Sequence, residues 1–198
     1  MVVAVVLAAG ESRRMGSPKA LLPFAGATFL EHIVSSLVQT KVGKIIVVLG
    51  HRAEEIRSKV AHLPVTWVVN NDYAKGQLSS LVAAVRRLVE EGDWEVDGML
   101  VHLVDHPLIS PELVDQMIAR FYESGKLIVL PRHKGRRGHP VIFSKDLFAE
   151  LMSAPLEQGA KGVVHAHWAD TLEVETDEAG ITADIDTQDE YRKLVGSG

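Results

Sequence analysis

Apolar residues along this chain fall either in short unbroken runs or at helical spacing. Val2 to Leu7 is an unbroken run of mainly β-branched residues, the pattern of a strand buried on both faces of a parallel sheet. From Thr28 to Thr40, residues Leu30, Ile33, Val34 and Leu37 share one helical face, with Thr28 placed to cap the start. Lys44 to Leu49 (KIIVVL) predicts a second buried strand, ended by Gly50 and His51. Arg52 to Val60 carries Glu54, Glu55, Arg57 and Lys59 outward and predicts a covering helix; Val65 to Val69 predicts a third strand. After a polar loop, Leu81, Val85, Leu88 and Val89 mark another helix, with Ser79 and Ser80 at its start. Strand and helix in alternation imply an α/β fold, a doubly wound and mostly parallel sheet with right-handed crossovers. Ligands of such sheets collect at the carboxyl ends of the strands.

Met99 to Val104 predicts a fourth strand that delivers Asp105, and Pro111 to Phe121 a helix capped by Ser110. Leu127 to Leu130 predicts a fifth strand, followed by a basic run, Arg132, His133, Lys134, Arg136 and Arg137. Because that run lies between LIVLP and PVIF, it predicts a mobile hairpin or lid near the sheet edge. A helix from Lys145 to Met152, a strand from Trp168 to Glu175 and a last helix capped by Thr187 complete the chain. No composition break or linker divides these segments, so residues 1–198 are expected to form one domain.

Composition narrows the function classes. With 46% apolar and 24% charged residues the chain is ordinary globular material. A net charge of −5 argues against nucleic acid as a partner, since neutralising many phosphates takes a basic surface. Any anion site must therefore be a local cluster of cations. The lack of cysteine removes disulfides and thiolate metal sites, which fits a reducing cytoplasm. The apolar start MVVAVVLAAG is too short to span a bilayer and lacks a basic leader, so no membrane role is expected.

The candidate chemistry begins where the first strand ends. Ala8, Ala9 and Gly10 leave almost no side chain there, so a ligand can lie against the backbone and accept hydrogen bonds from its N–H groups. Arg13, Arg14 and Lys19 add fixed cations, and together these features describe a polyphosphate site; a plain solvated loop is the alternative. A P-loop is excluded because Gly10 and Gly16 are one residue too far apart and Ser17 stands where its lysine should be. A G-x-G-x-x-G dinucleotide fingerprint is also absent. Asp105, at a strand end before Pro107, suits a Mg²⁺ ligand better than a helix cap, because Ser110 holds the better capping place. His106 beside it is expected to be a hydrogen-bond partner rather than a catalyst. Gly76 permits close backbone approach, Ser79 and Ser80 either cap a helix or meet a ligand, and Gln77 offers a base-reading amide.

The stretch L-A-A-G-x-S-x-R-M-G-x-x-K, from Leu7 to Lys19, resembles the signature loop of the MobA-like nucleotidyltransferases, and among them most resembles the molybdenum cofactor cytidylyltransferases. Asn70, Tyr73, Gly76, Ser79 and Ser80 are similar to a family stretch that contacts base and ribose, and Gly138-His139-Pro140 to a segment on the side of the second substrate. Gly159-Ala160-Lys161 and Asp184-Ile185-Asp186-Thr187 resemble two further family stretches, although Gln188 stands where the family usually has proline, which is expected to loosen that turn.

The resemblance implies nucleotide contacts from Leu7, Ala8, Ala9, Gly10, Glu11, Ser12, Gly16, Asn70, Gly76, Ser79 and Ser80, with Arg14, Lys19 and Asp105 in catalysis. It implies acceptor contacts from Arg137, Gly138, His139, Pro140 and Lys161, the last being alternatively an exposed helix residue. Mg²⁺ would be held by Asp105 and Asp186, with a capping box as the alternative for Asp186 and Asp184 assigned to that box. The implied activity is transfer of CMP from CTP to the phosphate of molybdopterin, releasing pyrophosphate, with a molybdoenzyme or its chaperone as a downstream partner. CTP rather than GTP is expected because Ala9 stands where GTP-using members tend to carry a second glycine. Two rivals remain open: a nucleotidyltransferase acting on a sugar or polyol phosphate, and a nucleotide- or cofactor-binding chaperone without catalysis.

Overall fold

The structure, a computed structural model, describes residues 1–90, 92 and 95–196. In chain order, β1 (Val2–Ala8) leads through a short β2–β3 hairpin (Pro23–Phe24 and Ala27–Thr28) into α1 (Phe29–Val38), β4 (Lys44–Leu49), α2 (Ala53–Lys59) and β5 (Thr66–Val69). Then follow α3 (Gln77–Glu90), β6 (Gly98–Leu103), α4 (Pro111–Ser124), β7 (Ile128–His133), β8 (Arg136–Arg137) and β9 (Val141–Ser144). The chain closes with α5 (Phe148–Ser153), α6 (Gly159–Ala166), β10 (Thr171–Glu175) and α7 (Gln188–Gly196).

The large sheet has the order β10-β7-β9-β6-β1-β4-β5, with β8 paired to β7. β1 lies at the centre of its parallel part, between β4 and β6, and β9 pairs antiparallel with both β6 and β7. The mostly parallel, doubly wound α/β sheet expected from the periodicity is present, and the basic run forms the β7–β8 hairpin. Alternation along β1 divides the core: Val2, Ala4 and Val6 pack with α1 and α4 on one face, whereas Val3, Val5 and Leu7 pack with α3 and α5 on the other. Burial of both faces is why the run shows no polar alternation.

Caps set the helix starts. Thr28 and Glu31 form a reciprocal capping box on α1, and the Ser110 hydroxyl accepts from the Leu113 N–H at 3.1 Å, as its position before Pro111 predicts. Other boundaries differ from expectation. Gly76, at φ +99°, turns the chain so that α3 begins at Gln77, and Ser79 and Ser80 lie inside its first turn rather than before it. Trp168–Asp170 forms a 3₁₀ turn, so the last strand begins at Thr171, where it pairs in parallel with β7. The segment expected as a helix from Lys145 opens with a 3₁₀ turn at Lys145–Leu147, and α5 starts at Phe148. The capping box of α7 joins Thr187 to Glu190; Asp184 has no part in it.

Candidate active site

The turn after β1 is held open by its own backbone and side chains. Ser12, with φ +51°, receives the Met15 N–H on its carbonyl at 2.9 Å and the Lys19 N–H on its hydroxyl at 3.1 Å. These bonds close the loop on itself and aim the Lys19 side chain back over the strand end. Gly50 supports the loop from beneath, since a Cβ there would come within 2.8 Å of the Ala9 carbonyl oxygen and 2.6 Å of the Tyr73 Cβ.

Asp105 and Asp186, far apart along the chain, meet at Lys19 from the amino-terminal half. The Lys19 ammonium donates to Asp105 Oδ2 at 2.9 Å and also to Asp186 Oδ1; the three side chains are 11%, 23% and 29% exposed. Arg14 adds a hydrogen bond to Asp186 Oδ2 at 2.5 Å. The Lys19 bond is the main reason that the Asp186 carboxyl is held below the usual carboxylate range. Asp186 is placed by two ties: the Ile185 N–H donates to the Asp105 carbonyl at 2.9 Å, and the Gln188 amide donates to the Met15 carbonyl at 2.7 Å. Gln188 therefore fastens the final turn to the amino-terminal loop, where a looser turn was expected.

A cavity of about 520 Å³ opens at this rim, lined by residues 7–14, Lys19, Tyr73, Gly76, Gln77, Ser80, Asp105 and Asp186 among others. Asn70 and Ser79 do not line it. Asn70 is buried and donates to the Ser79 and Ser80 hydroxyls at 2.8 and 3.0 Å, so the pair stitches the loop to α3. Gly16, at φ +72°, shapes the loop from outside the lining.

Two carboxylates converging on one ammonium form a hard oxygen donor set, and the buried Oδ1 of Asp105 has no hydrogen-bond partner among the described residues. No group of three or more His, Cys, Asp or Glu able to hold a metal exists among those residues. A hard cation would thus take Asp105 and Asp186 from the protein and complete its shell from phosphate oxygens, the pattern that suits Mg²⁺ or Mn²⁺. His106 Nε2 lies 3.8 Å from Asp105 Oδ1, beyond hydrogen-bond distance, so the expected bond between these neighbours is absent.

A second cavity, about 650 Å³, lies alongside, walled by Leu78, Leu81, Val101, Leu130, Val141 and Phe143. Arg137, Gly138, His139, Lys161 and Trp168 also line it, whereas Pro140 is buried outside the lining. Gly138 passes so close to the Ile181 carbonyl oxygen that a Cβ would lie 2.0 Å from it. Arg137 stacks 4.0 Å over the Trp168 ring and pairs with Glu173. Burial pushes the His139 imidazole down to about 4, so it is neutral at physiological pH. Trp168 was not among the expected site residues. Its one signal is a large aromatic that remains 43% exposed, a property invisible before folding.

A family model described as the MobA-like NTP transferase domain matches residues 4–172. The chain belongs to this family. It is 29% identical over 188 residues to the molybdenum cofactor cytidylyltransferase of Escherichia coli (strain K12), covering 94% of this chain and 92% of that protein. It is 30% identical to a probable molybdenum cofactor guanylyltransferase of Mycolicibacterium paratuberculosis (96% and 93% covered) and 28% identical to the nicotine blue oxidoreductase of Paenarthrobacter nicotinovorans (98% and 96%). Among solved structures, Rv0371c of Mycobacterium tuberculosis H37Rv in complex with manganese superposes with a TM-score of 0.83 at 29% identity, covering 100% of this chain and 99% of that one. Membership makes the protein a nucleotidyltransferase resembling the cytidylyl- and guanylyltransferases of molybdenum cofactor synthesis. No described helix is long and apolar enough to cross a membrane.

Proposed function

We propose that this chain, acting as one domain in the cytoplasm, transfers CMP from CTP to the phosphate of a molybdopterin-type acceptor and releases pyrophosphate. The observation that carries this is the meeting of Lys19, Asp105 and Asp186 on the rim of the amino-terminal loop. A binder without catalysis has no need of a paired-carboxylate centre. In the reaction an acceptor phosphate oxygen forms a bond to the α-phosphorus of the triphosphate as the bond from that phosphorus to the bridging oxygen breaks. Pyrophosphate leaves with the electron pair. The acceptor oxygen is already ionised at neutral pH, so no general base is required.

Backbone N–H groups around Gly10, with Arg14 and Lys19, would neutralise the departing phosphates. Asp105 and Asp186 would hold a divalent cation, Mg²⁺ by preference, and the manganese complex of Rv0371c supports a divalent ion in this fold. When bound, that ion supplies Lewis-acid stabilisation of the phosphate oxygens. The second cavity suits the acceptor, because apolar walls accept a flat heterocycle while Arg137 and Lys161 meet its phosphate. A molybdoenzyme or its chaperone would take the product.

Ala9 in the turn favours CTP. With purified protein, divalent cation and molybdenum cofactor, pyrophosphate release is expected to be faster with CTP than with GTP. Faster release with GTP reverses the base assignment. Turnover with sugar or polyol phosphates but not with the pterin redirects the acceptor.

A further inference from the structure

The two cavities share Leu7, Leu103 and Gln77 in their linings. Two of these are aliphatic, so the Gln77 carboxamide is the hydrogen-bonding side chain on the seam. It is exposed and has no hydrogen-bond partner among the described residues. Asn70 and Ser79 nearby are engaged inward, and Asp72 and Lys75 pair with each other at the surface. Asn70 donates to both serine hydroxyls, and Ser79 donates to the carbonyls of Asp72 and Gly76 at 3.1 and 2.7 Å. Of the polar residues expected to meet a ligand here, the structure turns Ser79 away and leaves Gln77 facing the space between the two cavities.

The place matters because a transfer between two bound substrates requires the reacting atoms to come within about 3–3.5 Å of each other, at the junction of their sites. Gln77 is also the first residue of the 14-residue α3, so its N–H lies at the positive end of a helix whose first amides lack intrahelical acceptors. Lys19 and Arg14 line the first cavity, where the proposed reaction sends the pyrophosphate. We propose that Gln77 is a catalytic residue of the transfer, donating from Nε2–H to a non-bridging oxygen of the phosphoryl group as it passes from one cavity to the other. A neutral donor suits this point, since it stabilises charge gathering on those oxygens without binding the ground-state triphosphate as tightly as a cation would. The role differs from base reading, which would make Gln77 matter for nucleotide binding. It rests on the nucleotidyl transfer proposed above.

The test is steady-state kinetics of Gln77→Ala and Gln77→Glu with CTP, GTP and molybdenum cofactor, beside calorimetric binding of each nucleotide. Gln77→Ala is expected to lower kcat about tenfold to a hundredfold while KM and nucleotide affinity stay within about twofold. Gln77→Glu is expected to fall further, because a carboxylate there repels the phosphoryl oxygens. Melting temperatures should match the wild type, since the side chain holds nothing in the fold. An unchanged kcat in Gln77→Ala, or a loss confined to KM or to one base, overturns the assignment and leaves the transferase activity standing. A wild-type protein that releases no pyrophosphate with either nucleotide overturns the activity, and the Gln77 role with it.

Discussion

The two cavities are built by different means from the same sheet. The first is made of backbone and fixed charge: a contiguous glycine-bearing turn after β1, closed by Lys19, Asp105 and Asp186. The second is made of side chains gathered from α3, β6, β7, β9 and α6, apolar within, with Arg137, Lys161 and Trp168 also in its lining. A triphosphate presents the same charges whatever base it carries, so a short local motif can bind it. An acceptor is recognised by shape, which many distant residues must define together. The relatives, whose names span cytidylyl transfer, guanylyl transfer and an oxidoreductase, match nearly the whole chain, in keeping with function set by sites placed on a common fold.

Asp105→Ala should show the largest effect and tests whether the charged cavity is the reaction centre. Pyrophosphate release should fall about a hundredfold to a thousandfold with any nucleotide, while circular dichroism and melting temperature stay near those of the wild type. Normal turnover in that variant would remove Asp105 from the mechanism.

Arg137→Ala sharpens the division of labour. Losing the guanidinium from above Trp168 should raise KM for the acceptor about tenfold and leave KM for CTP unchanged, read from initial rates with each substrate varied in turn. An equal rise in both would mean that the cavities do not separate the substrates.

A separate effect is on stability, and the two regions should respond in different pH windows. His102 and His139 are pushed by burial from 6.5 to about 4, so between those values the unfolded chain binds protons that the fold does not. Stability is therefore full above about pH 6.5 and falls as pH drops toward 4, by up to about 3 kcal/mol for each imidazole. Asp186 has the opposite chemistry but the same direction. Its lowered carboxyl stabilises the fold above its unfolded value, and that stability is lost only as pH falls through the lower folded one. Urea unfolding at stepped pH should show the histidine window shrink in His139→Gln, whereas Asp186→Asn should alter only the more acidic limb. A flat profile between pH 6.5 and 4 would contradict the burial of both imidazoles.

Much of this was legible in advance, for identifiable reasons. The buried runs of β1 and β4 have no polar alternation because both faces are covered, and Ser110 before Pro111 and Thr28 before its apolar helical face announce their helices as caps. Where expectation slipped, a distant partner had decided. Ser79 looked like a ligand contact until Asn70 engaged it, and Gln188 looked like a loosened turn until it reached the Met15 carbonyl. Trp168 belonged to no motif because its partner Arg137 lies on β8, far from it along the chain.

The sequence by itself determined the alternation of strands and helices, the glycine turn and its cations, and the place of Asp105 at a strand end, because each depends on neighbours within a few residues. Only the tertiary structure decided that Asp186 joins Asp105 at Lys19, that Gln77 stands between the two cavities, and that an apolar chamber lies beside the charged one. Those arrangements depend on which segments the sheet order and the helix packing bring together, and periodicity and local spacing carry no record of either.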